Sequence, residues 1–269
     1  MLSYLKIIRP LNGIMSALAV YIATLIAGAT LYPSMQVIYG MIVVFLVSCG
    51  GMVINDRFDV VADRLNKPHR PLPSGKMRTK TAVAYSLILF AAGIFLSYFI
   101  NTYCFYTAIL ASVLLIMYSW KLKKIIMVGH FSISLLVALT FIFGGLTLNI
   151  FGLKILLLAL LAFISNIGRE IFKTVEDVMG DKHSEITTIP IKYGVLKAKM
   201  IASAFIMAAV ILSFLPFFLA IFGVVYLFFI VITDIMFIIA IVVPKNLNAT
   251  VCKFAMLFAL LSFLAGAVA

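Results

Sequence analysis

Long apolar runs fill most of this chain, and short polar stretches separate them. Nine runs fall near 11–31, 35–55, 80–100, 103–120, 125–148, 153–175, 197–219, 221–243 and 250–268. Each comes close to the roughly 20 residues that a helix needs to cross a bilayer at about 1.5 Å per residue. A membrane barrel would instead alternate apolar and polar positions over about ten residues, and these runs do not. The pattern predicts an all-α, polytopic membrane helix bundle of about nine transmembrane helices. No polar stretch is long enough to form a second unit, so residues 1–269 are read as a single transmembrane domain. The first run is longer than a signal-peptide core and lacks a small-x-small cleavage site, so it is read as a retained span.

Composition removes the soluble alternatives. Hydrophobic residues make up 65% of the chain and charged residues 11%; a soluble domain has about a quarter charged. The net charge of +12 would suggest nucleic acid in a soluble protein. Here topology and attraction to anionic membrane lipid account for it, and no nucleic-acid partner is expected. With nine spans, the N-terminus and four loops share one side. That side collects every basic residue except Lys154. By the positive-inside rule it is cytoplasmic, with the protein in the cell membrane. Cys49, Cys104 and Cys252 stand singly in apolar runs and are read as small buried side chains.

The nine carboxylates are the unusual feature. Asp56, Asp59 and Asp63 fall at the end of the second run, and Glu170, Glu176, Asp177, Asp181 and Glu185 around the end of the sixth. Only Asp234 lies elsewhere, in the middle of the eighth run. Charge at membrane depth is costly and usually marks a site. On a helix Asn55, Asp59 and Asp63 are spaced i, i+4, i+8 and share one face. Asp177 and Asp181 repeat the i, i+4 spacing, with Lys173 ahead of them on that face. Like charges one turn apart repel unless a cation sits between them. Oxygen donors without His or Cys at ligand spacing suit a hard ion such as Mg²⁺, which shares its shell with substrate phosphates.

Each acidic segment runs into a basic, turn-forming loop. The first continues through Lys67, Pro68, Arg70, Pro71, Pro73 and Gly75; the second through Lys182, His183, Pro190, Lys192 and Gly194. Metal-binding acids beside Lys and Arg donors make a clamp for a diphosphate. His69, His130 and His183 lack a second His one turn away, so they are read as hydrogen-bonding groups rather than ligands.

These strings carry a resemblance. NDRFDVVADRLNKPHRPLPSG at 55–75 and REIFKTVEDVMGDKHSEITTIPIKYG at 169–194 resemble the two signatures of the UbiA superfamily of intramembrane prenyltransferases. YSWKLKK at 118–124 resembles its shorter basic signature, and Arg9-Pro10-x-Asn12 matches near the start. Where the family often has Gly-Asn after that loop, this chain has Gly129-His130. The resemblance spans nearly the whole chain. It implies a UbiA-like bundle around a central cavity open sideways to lipid. The loop variants are most similar to the branch that makes archaeal ether lipids. That implies Mg²⁺-dependent transfer of a geranylgeranyl group from geranylgeranyl diphosphate to the hydroxyl of a lipid-phosphate acceptor, geranylgeranylglyceryl phosphate.

The roles follow from the resemblance together with the spacing. Asn55, Asp59, Asp177 and Asp181 are expected to bind the metal. Asp56, Asp63 and Lys173 are placed with the catalytic group, the two acids as further ligands or as partners of ligands. Arg9, Asn12, Lys67, Arg70, Lys121, Lys123 and Lys182 are expected to contact substrate. The hydroxyl proton passes either to an aspartate of the first motif or to the diphosphate itself. Two alternatives stand beside this reading: a UbiA-type enzyme acting on an aromatic quinone precursor, and a cation-coupled transporter. A transporter would put its acids near mid-membrane in broken helices. A CDP-alcohol phosphotransferase fails, because Asp59 is followed by Val60 where that core needs glycine.

Overall fold

The apolar runs fold as helices, and the polar stretches between them break or cap those helices. The structure, a computed structural model, describes residues 2–183 and 187–269. Ser184, Glu185 and Ile186 of the second polar segment lie outside the described residues. Fourteen α-helices follow among the described residues: α1 (Leu2–Ile8), α2 (Pro10–Ile26), α3 (Met35–Phe58), α4 (Val60–Asn66), α5 (Thr79–Tyr98), α6 (Thr102–Trp120), α7 (Val128–Thr147), α8 (Leu153–Glu176), α9 (Val178–His183), α10 (Ile189–Tyr193), α11 (Val195–Leu212), α12 (Leu215–Phe218), α13 (Val224–Val242) and α14 (Asn248–Val268). A 3-10 turn, Leu122–Lys124, joins α6 to α7.

All nine expected spans are present, and eight of them are long and apolar enough to cross a membrane. The ninth, α2, has 17 residues, at the short end of what a bilayer accepts. It stops at Ile26 rather than 31 because Gly28 turns the chain with φ 102°. Local chemistry sets other boundaries. Ser34 caps α3 by accepting from the Val37 N–H, and Asn101 caps α6 by accepting from the Cys104 N–H.

Two boundaries depart from the simple run pattern in the same way. α3 continues to Phe58 and then breaks at Asp59 (φ −92°, ψ 3°); α8 continues to Glu176 and breaks at Asp177 (φ −90°, ψ 5°). The helical hydrogen bonds carry on through both breaks. Asp59 N–H donates to Asn55 O and Asp63 N–H to Asp59 O, and the same pattern links Asp177 to Lys173 and Asp181 to Asp177. Each acidic motif is therefore a long helix, an aspartate at a kink, and a short helix.

Around the central space, α3 packs on α2, α5 and α6, while α8 packs on α7, α11 and α14; α2 bridges the halves through α7 and α14. The outer faces of α5, α6 and α13 leave large side chains such as Ile88, Phe95, Leu110 and Phe228 exposed, as lipid-facing surface requires.

Candidate active site

The two kinked helices put their short ends together at the basic end of the bundle, where α4 packs on α9. Asn66 clips them. Its Nδ2 donates to the Asp177 carbonyl (2.9 Å), and its Oδ1 accepts from the Gly180 N–H (3.0 Å). The approach leaves no room for a side chain at 180, since a Cβ there would lie 2.4 Å from Asn66 Nδ2 and 2.7 Å from Ala62 O. Gly180→Ala is expected to cost about 1–3 kcal/mol of stability through this overpacking and to loosen the two motifs together. Thermal melts of detergent-solubilised protein and activity assays check it. An unchanged melt with unchanged turnover would mean that the clip does not hold the site.

Among the described residues every motif carboxylate except Asp181 and Glu176 is matched to a cation. Lys67 Nζ donates to both oxygens of Asp177 at 2.7 Å. Lys123, delivered by the 3-10 turn, meets Asp59 at 2.5 Å, and Asn55 Nδ2 donates to the other Asp59 oxygen at 2.7 Å. That turn rests on Gly129, where a Cβ would be 2.8 Å from the Lys123 Cα. Arg70 joins Asp63 (2.5 Å) and Asp56 (3.3 Å), and Arg9 also pairs with Asp56. Arg9 reaches it from a left-handed backbone (φ 46°, ψ 67°), a conformation costly for a residue with a Cβ and typical of functional sites. Glu170 holds Arg169 (2.7 Å) and Lys173 (3.1 Å).

Glu176 accepts from the Ala249 N–H instead, while Asp181 has no ion pair among the described residues. Burial first, then the charges of Asp177 and Asp59, push its carboxyl up to about 7. Burial likewise raises Asp63 above the usual carboxylate range, against the pull of Arg70. Burial lowers the Lys123 ammonium despite Asp59.

A polar pocket results, lined by Asn55, Asp59, Asp63, Lys67, Arg70, Lys123, Lys173, Asp177, Asp181 and Arg9. Ten predicted site residues thus converge. Asn12 lines the adjoining apolar cavity instead. Three others lie outside both linings. Asp56 is buried behind the pocket under its two arginines, and Lys121 and Lys182 are exposed. The 3-10 turn explains Lys121: it carries Lys123 inward and leaves Lys121 at the helix end facing out.

Sequence reasoning passed over several lining residues. Tyr118 and Glu170 line both spaces, while His130 and Thr188 line the polar one. His130 Nε2 and Thr188 Oγ1 are buried with no hydrogen-bond partner among the described residues. Tyr118 stood in the basic signature, and the Gly129-His130 departure flagged the histidine; neither carried a spacing that pointed inward.

The polar pocket adjoins the apolar cavity, and Arg9, Asn55, Tyr118, Glu170 and Lys173 line both. From there the cavity runs past Met15, Val43, Leu115 and Phe141 to Asp234 and Phe263. Asp234 accepts from Ser213 Oγ (2.7 Å), and Tyr226 OH donates to the Ser213 carbonyl (2.7 Å), so this mid-span acid is partnered. A cationic and carboxylate-bearing mouth over an apolar tunnel fits a diphosphate with a long hydrocarbon tail.

The UbiA prenyltransferase family pattern matches residues 16–266. The chain belongs to the UbiA prenyltransferase family. This UbiA-family chain is 41% identical to the digeranylgeranylglyceryl phosphate synthase of Methanococcoides burtonii, over 99% of this chain and all of that one. It is 39% identical to the synthase of the same name from Methanocaldococcus jannaschii, over 99% and 96%. A solved digeranylgeranylglyceryl phosphate synthase superposes with a TM-score of 0.75 at 39% identity, covering 99% of this chain and 98% of that one. A UbiA homolog from Archaeoglobus fulgidus, bound to GPP and Mg²⁺, superposes with a TM-score of 0.73 at 19% identity, covering 99% and 100%, which establishes the shared fold.

Proposed function

We propose that this UbiA prenyltransferase transfers a geranylgeranyl group from geranylgeranyl diphosphate to the hydroxyl of geranylgeranylglyceryl phosphate, forming the second ether of an archaeal lipid core. One observation carries the reading: a carboxylate- and lysine-lined pocket adjoins an apolar cavity inside the bundle, and the two share five lining residues. The full-length likeness to digeranylgeranylglyceryl phosphate synthases supports the choice of donor and acceptor. We take residues 1–269 as one catalytic transmembrane unit with its basic end facing the cytoplasm.

The donor set fits Mg²⁺. Asn55, Asp59, Asp177 and Asp181 offer only hard oxygen ligands, and Asp181 has like-charged neighbours and, among the described residues, no ion pair. Among the described residues no three acidic, histidine or cysteine side chains form a preformed cage. The physical reason is visible: Lys67 and Lys123 stand on Asp177 and Asp59. A diphosphate would complete such a shell and draw those ammoniums onto its own oxygens. When bound, Mg²⁺ neutralises charge growing on the leaving diphosphate.

The chain's residues do the rest. Lys67, Lys123, Lys173 and Arg70 stabilise the departing oxygens as the allylic C–O bond breaks and its electron pair leaves with the diphosphate. The apolar wall keeps water from the cationic C1, and the acceptor hydroxyl oxygen bonds to that carbon. The hydroxyl proton leaves with the diphosphate, because Asp56 and Asp63 already accept from Arg9 and Arg70 and Asp59 is taken up as a metal ligand. Asp56 and Asp63 then act by positioning those arginines.

The test offers purified protein radiolabelled geranylgeranyl diphosphate with geranylgeranylglyceryl phosphate or 4-hydroxybenzoate, with and without Mg²⁺. Label is expected in the glyceryl phosphate product, and only with Mg²⁺. Transfer to the aromatic acid alone would overturn the acceptor.

A further inference from the structure

A lysine within a membrane-spanning helix needs an account. Lys253 lies five residues into α14, roughly 7 Å from its start at 1.5 Å per residue. It is only partly exposed and lines the apolar cavity rather than the lipid face. Its position is fixed from one turn away, where Glu176 at the end of α8 accepts from the Ala249 N–H (2.9 Å). Among the described residues it has no ion pair. Arg169 and Arg9, of its own sign, line the same cavity.

Arg169 projects into the same cavity from α8. Glu170 takes one of its terminal nitrogens, but its Nε is buried without an acceptor. Asn12, on the α2 wall of the cavity, has the opposite deficit: its Oδ1 is buried without a donor. Among the described residues the cavity thus holds one unpaired cation, Lys253, a second, Arg169, that shares its carboxylate with Lys173, an unmet donor and an unmet acceptor. All lie below the polar pocket, whose own lysines are matched to Asp59 and Asp177. Glu170 stands between, holding Arg169 on one side and Lys173 on the other.

We propose that Arg169 and Lys253 form a second anion subsite, for the phosphomonoester of the acceptor lipid, separate from the diphosphate clamp. The subsite rests on the proposed function above and specifies how its acceptor is held. Phosphate oxygens meet the Arg169 Nε–H and the Lys253 ammonium. The Glu170 carboxylate keeps the two phosphate groups on their own cations, because each would be repelled from the wall between them. Anchoring one end of the glycerol in this way turns its hydroxyl toward the tunnel mouth, where C1 of the donor lies.

The experiment compares wild-type protein, Lys253→Gln and Lys253→Arg in neutral-lipid vesicles, with geranylgeranylglyceryl phosphate and with phosphate-free geranylgeranylglycerol as acceptors. Lys253→Gln is expected to raise KM for the phosphorylated acceptor at least tenfold and leave KM for the donor unchanged. Lys253→Arg should recover most of the loss, which guards against simple misfolding. On geranylgeranylglycerol, wild type and Lys253→Gln should be equally poor. Equal losses on both acceptors, an altered donor KM, or no loss at all would overturn the subsite. A loss that appears only when the vesicles contain anionic phospholipid would assign Lys253 to a lipid headgroup and overturn it too. Wild-type protein inactive on both glycerol acceptors would instead sink the proposed function itself.

Discussion

Asp177→Asn is expected to lower Mg²⁺-dependent prenyl transfer by about 10²–10³-fold, the usual cost of removing one preorganised group that stabilises transition-state charge. The substitution keeps size and hydrogen-bonding shape but removes the charge that both holds Lys67 and faces the metal position. Asp177 occupies the kink between α8 and α9, and its side chain is 18% exposed. Its partner Lys67 is 27% exposed and can turn to water when the charge is lost, so the variant should melt near wild type in detergent. Radiolabel transfer at graded Mg²⁺ is the measurement. Activity should fall most at low Mg²⁺ and recover in part as Mg²⁺ rises. Near-normal turnover throughout would remove Asp177 from the clamp.

Arg70→Met should act in the other direction, on the fold more than on a single contact. Arg70 is 17% exposed and serves two acids whose side chains are 2% and 5% exposed, Asp56 and Asp63. Taking away the cation leaves buried carboxylates unpaired, which typically costs 3–5 kcal/mol. Arg9 continues to cover Asp56, so most of the penalty falls at Asp63. The expected result is a markedly lower melting temperature in detergent, with loss of activity following it. Adding Asp63→Asn to Arg70→Met should recover part of the melt, because the orphaned charge is then gone. A melt unchanged by Arg70→Met would show that water or lipid headgroups already neutralise these acids.

Much of this was legible in the sequence because two strong signals carried it. Length and apolarity located all nine helices, and the cost of charge in hydrocarbon singled out the acidic motifs. What was not legible depends on tertiary contact. Neither Asp59 nor Asp177 has a glycine or proline beside it to announce a kink. Both breaks lead into α4 and α9, which pack together, and Asn66 and Gly180 gave no periodic sign of that contact. Lys121 and Lys123 read alike on paper, yet a 3-10 turn can point only one of them into the pocket. Lys253 was counted among the residues that orient the chain, because a lysine near a helix start usually faces water. Only the placement of α14 against α8 shows it turned inward.

The clip between Asn66 and Gly180 has one more consequence. The first motif spans 55–75 and the second begins at residue 169, so each contributes only part of the clamp, and the chain between them forms α5, α6, α7 and most of α8. A diphosphate with its cation would touch both parts at once and act as a fastener across the bundle. By mass action, substrate at a hundred times its dissociation constant would add about 2.7 kcal/mol against unfolding. Product release would withdraw that tie. The empty enzyme is then the loosest member of the cycle, with its basic end held by one asparagine and a set of internal ion pairs.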